Sequence, residues 1–306
     1  MPAVSLPPSA VPVIERWQLV LHPERPLEHV EQTGSMLRGV FGHALKALAC
    51  RCLGASHDAD CLYQRIFEPQ PPADWPLRYR DCPPAFVISP PQAAQAHQRL
   101  PFAFTLLGPA VRHAELIWTA WQMAAFRGLG NRQIPARIQR SLESGLPPTP
   151  GATTSVRLRF DSPLHLKRKN PGEPESRVLG PEDLSLADLL IALHRRLEIT
   201  QQLYGMLQAP LPALSHWLDQ AQACDVRQAL RQVHFSRRSN RQQRRVPLQG
   251  VCGEIVIQGA LDEGLRAALS LGQWLHIGGK TALGMGGYRL LASLTPTFHM
   301  AVDDTP

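Results

Sequence analysis

The chain lacks the features of a secreted or membrane protein. Its first thirteen residues are rich in proline and contain no Lys or Arg, whereas a signal peptide begins with basic charge and continues into an unbroken apolar core. No run of eighteen apolar residues occurs, so no membrane-spanning helix is expected. The six cysteines are too few for a disulfide scaffold in a chain of 306 residues. We therefore expect a soluble, cytoplasmic protein that does not contact a membrane.

Acidic residues are absent from one long segment, and basic residues replace them. Residues 226–253 contain no Asp or Glu, while the net charge of the whole chain is +7. Seven arginines of this segment together match that surplus: Arg227, Arg231, Arg237, Arg238, Arg241, Arg244 and Arg245. A localised basic segment is typical of a nucleic-acid phosphate site, although a solvated charged face has the same composition.

A second basic stretch is shorter. Lys167, Arg168 and Lys169 precede an Asn-Pro-Gly turn, and we expect this stretch to be a mobile insertion that binds RNA phosphates.

Residues 271–290 contain six glycines around a single lysine, immediately before an apolar strand. Clustered glycines let backbone N–H groups approach an anion closely. The residues predicted to bind phosphate in this way are Gly278, Gly279, Gly284, Gly286 and Lys280. His276, beside the loop, is predicted either to contact RNA or to close the loop through a backbone hydrogen bond. Because the loop connects a helix to a strand, the reverse of a P-loop or Rossmann loop, nucleotide binding is not expected.

The cysteines cluster in one part of the chain. Cys50, Cys52, Cys61 and Cys82 lack the paired CxxC spacing of a strong zinc signature. His57 and Asp58 lie near them as further possible ligands. The sequence leaves two alternatives open, a structural zinc site or reduced thiols. We expect no cofactor and no metal at the functional site.

Hydrophobic periodicity indicates an α+β fold made of two similar halves. The order β-α-β-β-α-β is predicted twice, first for residues 16–21, 35–50, 85–89, 102–107, 113–127 and 134–142, and then for residues 155–160, 184–204, 233–236, 250–259, 263–274 and 288–294. A segment rich in Pro, Gly and Thr, residues 146–154, indicates a linker between them. The sequence therefore predicts two tandem ferredoxin-like domains, residues 1–148 and 149–306, with the Gly-rich loop in the second.

Seven motifs in order resemble those of a known family. They are the segments 37–45, 61–68, 104–108, 128–132, 162–164, 236–243 and 275–288. With them the chain resembles the Cas6-like endoribonucleases of the RAMP superfamily, which cut precursor CRISPR RNA within its repeats. The resemblance implies a tandem ferredoxin-like fold, metal-independent cleavage, a CRISPR repeat RNA hairpin as partner and contacts with other CRISPR effector subunits. One departure is Gly287, where relatives often carry a basic residue, and Arg289 is the expected replacement.

Members of this family place a histidine in or near the first helix. At about 100° per residue, Arg38, Gly39, Gly42, His43 and Lys46 fall on the polar half of that helix. We expect His43 to act as general base or acid, with Lys46 and Arg38 stabilising the phosphorane. The two glycines are expected to let the RNA backbone approach the helix.

Two alternatives to this catalytic site are open. In the first, His43 borders the core and bonds to a backbone carbonyl, and His29 in the preceding loop is then the reserve candidate. Relatives often supply a tyrosine upstream of the histidine, yet none occurs before Tyr63. That absence favours the second alternative, a catalytically silent RNA-binding subunit.

The expected contacts with RNA follow from the shape of a hairpin. The deep major groove of A-form RNA excludes side chains, so an arginine-rich element reads phosphates and shape. We assign this role to Arg237, Arg238, Arg241, Arg244 and Arg245. Cleavage by the 2′-hydroxyl is expected to leave a 2′,3′-cyclic phosphate or 3′-phosphate and a 5′-hydroxyl.

Overall fold

The structure is a computed structural model. It describes residues 14–27, 33–53, 56–73, 75–76, 82–91, 98–143, 145–169, 172, 175–207, 210–239 and 244–291. Within these ranges, every helix is too short or too polar to cross a lipid bilayer.

The first half of the chain forms a four-stranded antiparallel sheet with helices on one face. Its elements are β1 (Ile14–Pro23), α1 (Thr33–Ala49), α2 (Leu62–Phe67), β2 (Phe86–Ser89), β3 (Leu100–Leu107), α3 (Ala114–Arg127) and β4 (Ala136–Glu143). The strand order is β2-β3-β1-β4, with β1 in register against both β3 and β4. Short α2 was not predicted, but the remaining order confirms the ferredoxin-like arrangement.

Alternation along β1 decides which face of this sheet is buried. Trp17, Leu19 and Leu21 are at most 1% exposed, as expected for one face of a strand with period two. The helices cover that face through aromatic contacts, with the Phe41 ring stacked 4.8 Å from the Trp121 ring. This core fixes the orientation of α1, and with it the residues that α1 presents to solvent.

The second half repeats the arrangement. Its elements are β5 (Ser155–Leu164), β6 (Lys167–Arg168), β7 (Arg177–Val178), α4 (Leu186–Tyr204), α5 (Leu214–Gln222), β8 (Asp225–Ser239), β9 (Arg244–Gln258), α6 (Glu263–Leu275) and β10 (Tyr288–Leu291). The sheet has the order β10-β5-β9-β8, while β6 and β7 form a separate hairpin. A capping box of Ser185 and Asp188 begins α4. The predicted tandem ferredoxin-like fold is therefore confirmed.

Strands β8 and β9 are far longer than the sequence predicted. Each contains 15 residues, paired from Asp225 with Gln258 to Ser239 with Arg244. Pairing of β9 with β5 ends at Val251, so residues 234–239 and 244–249 pair only with each other. We call the part of the hairpin formed by these twelve residues the ribbon. With six residues in each strand, it extends about 20 Å beyond the sheet.

Several contacts join the two halves. The Arg16 guanidinium lies 5.3 Å from the Trp274 ring, and the Tyr204 hydroxyl donates to the Pro83 carbonyl. The predicted linker is itself attached to α6, because Ser270 donates to the Pro148 carbonyl over 2.7 Å. The domain boundary proposed at residue 148 stays a prediction. The residues beside it, however, pack on α6 and do not form a free linker.

Candidate nucleic-acid interface

Helix α1 presents two charged or titratable side chains to solvent. Leu37, Phe41 and Leu45 are buried at 0% exposure, whereas His43 and Lys46 are exposed. Residues three apart are neighbours on a helix surface. The structure therefore brings His43 and Lys46 together on an accessible face, which disfavours the alternative in which His43 borders the core.

The two glycines of this helix have different environments. A Cβ on Gly39 would meet no atom within 4 Å, so this position is open to an approaching ligand. A Cβ on Gly42 would lie 2.4 Å from the Phe67 ring, and Gly42 is buried. The expectation that Gly42 faces RNA is wrong, because this glycine makes room for the packing of α2 against α1.

Aromatic rings from the neighbouring elements lie beneath the cations of α1. The Arg38 guanidinium is half-buried, 4.1 Å from the Phe67 ring centroid. The Lys46 ammonium lies 5.5 Å from the Tyr63 ring, and cation–π contacts at such distances orient side chains. Arg38 therefore lies closer to the core than Lys46 does. The reserve candidate, His29, lies outside the described residues.

Tyr63 is the residue near this face that sequence reasoning left without a role. It is only 6% exposed, and burial raises the pKa of its hydroxyl to about 12. Tyr63 is therefore neutral and packs below Lys46 instead of facing solvent. In the sequence, the only sign that Tyr63 lies near this face is its place two residues after Cys61.

The Gly-rich loop does not expose its N–H groups as predicted. Gly279 donates to the His165 carbonyl over 2.8 Å, Gly284 to the Thr281 carbonyl and Gly286 to the Pro163 carbonyl, both over 2.9 Å. An anion cradle needs unpaired N–H groups pointing at the ligand. The N–H groups of these three glycines are therefore not available to cradle a phosphate, because the protein's own carbonyls already accept from them. Any other contact of these glycines with RNA stays a prediction.

Tight packing explains why the loop needs glycine. Gly278 and Gly286 have positive φ angles of 82° and 74°, a region that favours glycine. A Cβ on Gly286 would lie 1.8 Å from the Ile277 carbonyl oxygen, and one on Gly278 would lie 2.8 Å from the His165 carbonyl oxygen. These glycines hold the loop against neighbouring backbone. Gly278, still half-buried, stays a prediction as an RNA contact.

His276 is a structural residue. It is 2% exposed, with Nδ1 3.1 Å from the Met285 carbonyl and Nε2 2.8 Å from the Ser89 hydroxyl. Burial lowers its pKa to about 3, assisted by the positive charges of Arg16 and Arg196. The neutral ring therefore donates through Nδ1 and accepts from Ser89 through Nε2. This burial excludes a direct contact between His276 and RNA. The structure has the predicted alternative, in which His276 closes the loop through a backbone hydrogen bond.

Two exposed lysines lie beside another buried histidine. His165 donates from Nδ1 to the Gln249 carbonyl over 2.7 Å. Its pKa is lowered by burial and, in addition, by the nearby positive charges of Lys167 and Lys280. Both lysines are exposed. They form a cationic surface where the Gly-rich loop meets the base of the ribbon.

The second basic stretch has more structure than the sequence suggested. Lys167 and Arg168 pair with Val178 and Arg177 across the β6–β7 hairpin. Arg168 donates from Nε to the Asp188 carboxylate over 3.0 Å, and this hydrogen bond raises its pKa. The expectation of a freely mobile insertion is therefore wrong for Lys167 and Arg168. Lys169 remains exposed.

The arginine block lies on the ribbon. The backbones of Arg237 and Arg238 belong to β8, those of Arg244 and Arg245 belong to β9, and Arg238 pairs with Arg245. Arg241 lies outside the described residues. The structure thus places four of the five predicted arginines on one projecting element.

Other basic residues of the second sheet are neutralised by acids. Arg157 contacts Glu254 over 2.9 Å and Arg289 contacts Asp161 over 2.5 Å. The Asp161 carboxylate raises the pKa of Arg289. Arg289 is therefore a less available cation than Lys280.

The Gly-rich loop connects these surfaces to α1. A Cβ on Gly34, near the start of α1, would lie 2.1 Å from the Leu283 carbonyl oxygen. Leu283 belongs to the short turn Thr281–Leu283 that follows Lys280. His43 is nine residues further along the helix, about 13 Å away at 1.5 Å per residue. A short stretch of one RNA strand would therefore be long enough to contact both the loop and His43.

Comparison with protein families matches the two halves of the chain to two different family models. Residues 158–288 match the family model of the CRISPR-associated endoribonuclease Cas6. Residues 11–149 match a family described as an N-terminal domain. No curated protein sequence matches the chain significantly.

Solved structures share the fold at low sequence identity. A Cas6 product complex is 17% identical with a TM-score of 0.59, covering 91% of this chain and 100% of that chain. Cas6 of Thermus thermophilus is 15% identical with a TM-score of 0.52, covering 92% and 100%. A partial Cas6-RT-Cas1–Cas2 complex is 14% identical with a TM-score of 0.58, covering 94% of this chain and 47% of that chain. At these identities the likeness establishes the fold.

Proposed function

We propose that this chain, whose residues 158–288 match the Cas6 family model and whose fold resembles that of a Cas6 product complex, is an endoribonuclease of the RAMP superfamily. In this proposal it binds CRISPR repeat RNA and cleaves precursor CRISPR RNA into guide units. The observation that carries the proposal is the exposed pair His43 and Lys46 on α1, a helix that packs against the loop bearing Lys280. General base chemistry needs an accessible imidazole, and charge stabilisation needs a cation beside it.

The proposed reaction uses no metal ion at the scissile phosphate. His43 takes the proton of the 2′-hydroxyl, the 2′-oxygen bonds to phosphorus, and the bond from phosphorus to the 5′-oxygen breaks. The leaving 5′-oxygen takes a proton from solvent water, and His43 returns its proton to solvent. Lys46 offsets the charge on the phosphorane oxygens. The products are a 2′,3′-cyclic phosphate and a 5′-hydroxyl. Arg38, held over Phe67, positions this face of the helix.

Binding of the RNA is assigned to two separate surfaces. The arginines of the ribbon would contact the phosphates of the repeat hairpin, whose shape rather than sequence is read. Lys167 and Lys280 would hold the strand that leads toward α1, and Lys169, two residues after Lys167, would add to the same surface. Arg168 contributes through its ion pair with Asp188, which fixes the hairpin carrying Lys167.

The test uses a labelled repeat RNA from the CRISPR array beside the gene, in EDTA. We expect wild-type protein to cleave it, and expect no cleavage when the nucleotide at the cut carries a 2′-deoxy sugar. His43→Ala should lower the single-turnover rate about 10²- to 10⁴-fold, the usual contribution of a general base, with RNA affinity unchanged. His22→Ala is the matched control, because His22 lies on β1 and contacts Gln139. Equal rates for the two variants would remove His43 from the mechanism.

A second candidate is a catalytically silent RNA-binding subunit. It is favoured by the burial of Tyr63, which leaves α1 without an exposed tyrosine beside it among the described residues, and by the similarity to a chain of a Cas6-RT-Cas1–Cas2 complex. In that case wild-type protein would bind the repeat tightly and leave it intact. Tight binding without cleavage in the same assay therefore selects this candidate.

A further inference from the structure

Three cysteines and one histidine converge in the loop between α1 and α2. The ligand atoms of Cys50, Cys52, His57 and Cys61 all lie within 4.8 Å of one another. The Nδ1 atom of His57 is 3.3 Å from the Cys50 sulfur and 3.6 Å from the Cys61 sulfur. Two of the residues considered from the sequence are not part of this group, since neither Cys82 nor the Asp58 carboxylate belongs to it.

The two sulfur–nitrogen distances match the edges of a zinc tetrahedron. With bonds of about 2.3 Å to sulfur and about 2.0–2.1 Å to nitrogen, sulfur–nitrogen edges are about 3.6 Å and sulfur–sulfur edges about 3.8 Å. The observed sulfur–nitrogen separations of 3.3 and 3.6 Å fall close to that value. Three sulfurs and one imidazole form a donor set typical of structural zinc, and one that calcium and magnesium disfavour.

The backbone around the group supports the same geometry. The Asp58 N–H points at the Cys52 sulfur over 3.3 Å, and hydrogen bonds of this kind orient metal-bound thiolates. The Cys61 N–H donates to the Asp58 carbonyl over 2.9 Å, closing a turn of residues 58–61 directly after His57. The loop is therefore folded around the four ligand atoms.

The same loop has little apolar burial of its own. Leu53 is fully exposed at 105%, and Arg51, Ser56, Asp58 and Asp60 are exposed as well. The four ligand residues, by contrast, are half-buried or buried. This segment buries its cysteines and histidine and exposes its leucine, so apolar burial does not order it. A cross-link such as a bound metal ion is needed to hold it in one conformation.

We propose that Cys50, Cys52, His57 and Cys61 bind one structural Zn²⁺ ion. The cysteines bind as thiolates, so binding releases their protons. Lys46, four residues before Cys50 on α1, lies within electrostatic reach of the group and offsets the net negative charge of three thiolates around Zn²⁺.

The position of the site defines its role. Cys50 directly follows α1 and Cys61 directly precedes α2, so the ion joins the end of the helix that presents His43 to the helix that carries Tyr63. With four protein ligands the coordination shell is complete and leaves no position for RNA. The ion is thus structural, and RNA cleavage at α1 proceeds without it as a reactant.

Metal analysis of the full-length chain tests the proposal without reference to RNA. Purified with its tag removed and without chelator, the wild-type protein should contain about one zinc per chain by mass spectrometry. Replacement of zinc by Co²⁺ should give intense visible bands and a thiolate-to-cobalt charge-transfer band. Less than about a tenth of a zinc per chain, together with no cobalt–thiolate band, would overturn the proposal. A mass lower by two hydrogen atoms, which shows a disulfide among these cysteines, would also overturn it.

Matched cysteine variants separate this site from adventitious metal. Cys61→Ser should lower zinc affinity at least tenfold in competition with a colorimetric chelator, while Cys82→Ser should retain the wild-type value. Cys82 is the fair control, because it is half-buried in the same half of the chain but outside the group. Equal zinc loss in both variants would contradict the assignment. If Cys61→Ser does not fold, the cobalt spectrum of the wild type still decides the ligand type.

Discussion

Acidification should destabilise this protein through one buried histidine. The His276 ring connects the Gly-rich loop to β2, and burial lowers its pKa to about 3. An unfolded histidine has a pKa of about 6.5, so the unfolded state binds a proton that the folded state refuses. The stabilisation is therefore complete above pH about 6.5 and is lost progressively as the pH falls toward the folded pKa.

The magnitude follows from the two pKa values. Between pH 7 and pH 5 the linkage relation gives a loss of about 2 kcal/mol in the free energy of unfolding from this group alone. Other histidines with lowered pKa values, His113 and His165, add losses of the same sign. A comparison with a variant is needed to isolate the contribution of His276.

Urea denaturation followed by circular dichroism at several pH values provides the assay. His276→Gln keeps an amide that can donate and accept but removes the titration. We expect the variant to be less stable at pH 7, yet to lose about 2 kcal/mol less than wild type between pH 7 and pH 5. The quantity that matters is this difference in slope, because His113 and His165 contribute equally to both proteins. Identical pH dependence in the two proteins would refute the assignment of a buried neutral ring.

Two further predictions follow from glycine packing and ribbon charge. Gly34→Ala should destabilise the fold by about 1–3 kcal/mol, because the added Cβ would overlap the Leu283 carbonyl. Gly39→Ala, in open space on the same helix, should instead stabilise the fold by about 1 kcal/mol. Equal shifts of the melting temperature in the two variants would contradict the packing of α1 against the loop. Replacing Arg237 and Arg238 by Ala should weaken repeat RNA binding in a filter-binding series, and should reduce the slope of log affinity against log salt by about 1 for each phosphate that the variant no longer neutralises. Arg140→Ala should leave that slope unchanged, because Arg140 is paired with Glu115 on the first sheet. An unchanged slope in the double variant would exclude the ribbon from phosphate binding.

Periodicity predicted the two sheets because each core strand and helix has a buried and an exposed face. Helix α1 is the clearest case, since its apolar spacing alone oriented Phe41 inward and His43 outward. The same reasoning missed most of β8. Residues 225–229 of that edge strand are all exposed, so they carry no apolar alternation.

Features that depend on a distant acceptor or neighbour were beyond the sequence. The number of glycines near Lys280 could not reveal that the N–H of Gly286 meets the Pro163 carbonyl. Spacing alone also grouped Cys82 with the other cysteines and left His57 and Asp58 equally open as further ligands, whereas the folded chain brings His57 to the group and leaves Cys82 and the Asp58 carboxylate outside it. In both cases the outcome depends on which distant segment packs against the site, and only the tertiary structure determines that.

The length of the ribbon has a consequence for divergence within the family. Its residues pair with no strand other than each other, so insertions, deletions and charge changes near its tip leave the hydrogen bonding between β5 and β9 intact. Mutational tolerance is therefore concentrated in the element that we propose faces the RNA hairpin, while α1 is constrained by the core on one side and the loop on the other. Under the proposed function, repeat preference can thus evolve separately from the cleavage chemistry, and exchange of this element between homologues offers a route to reprogrammed guide processing.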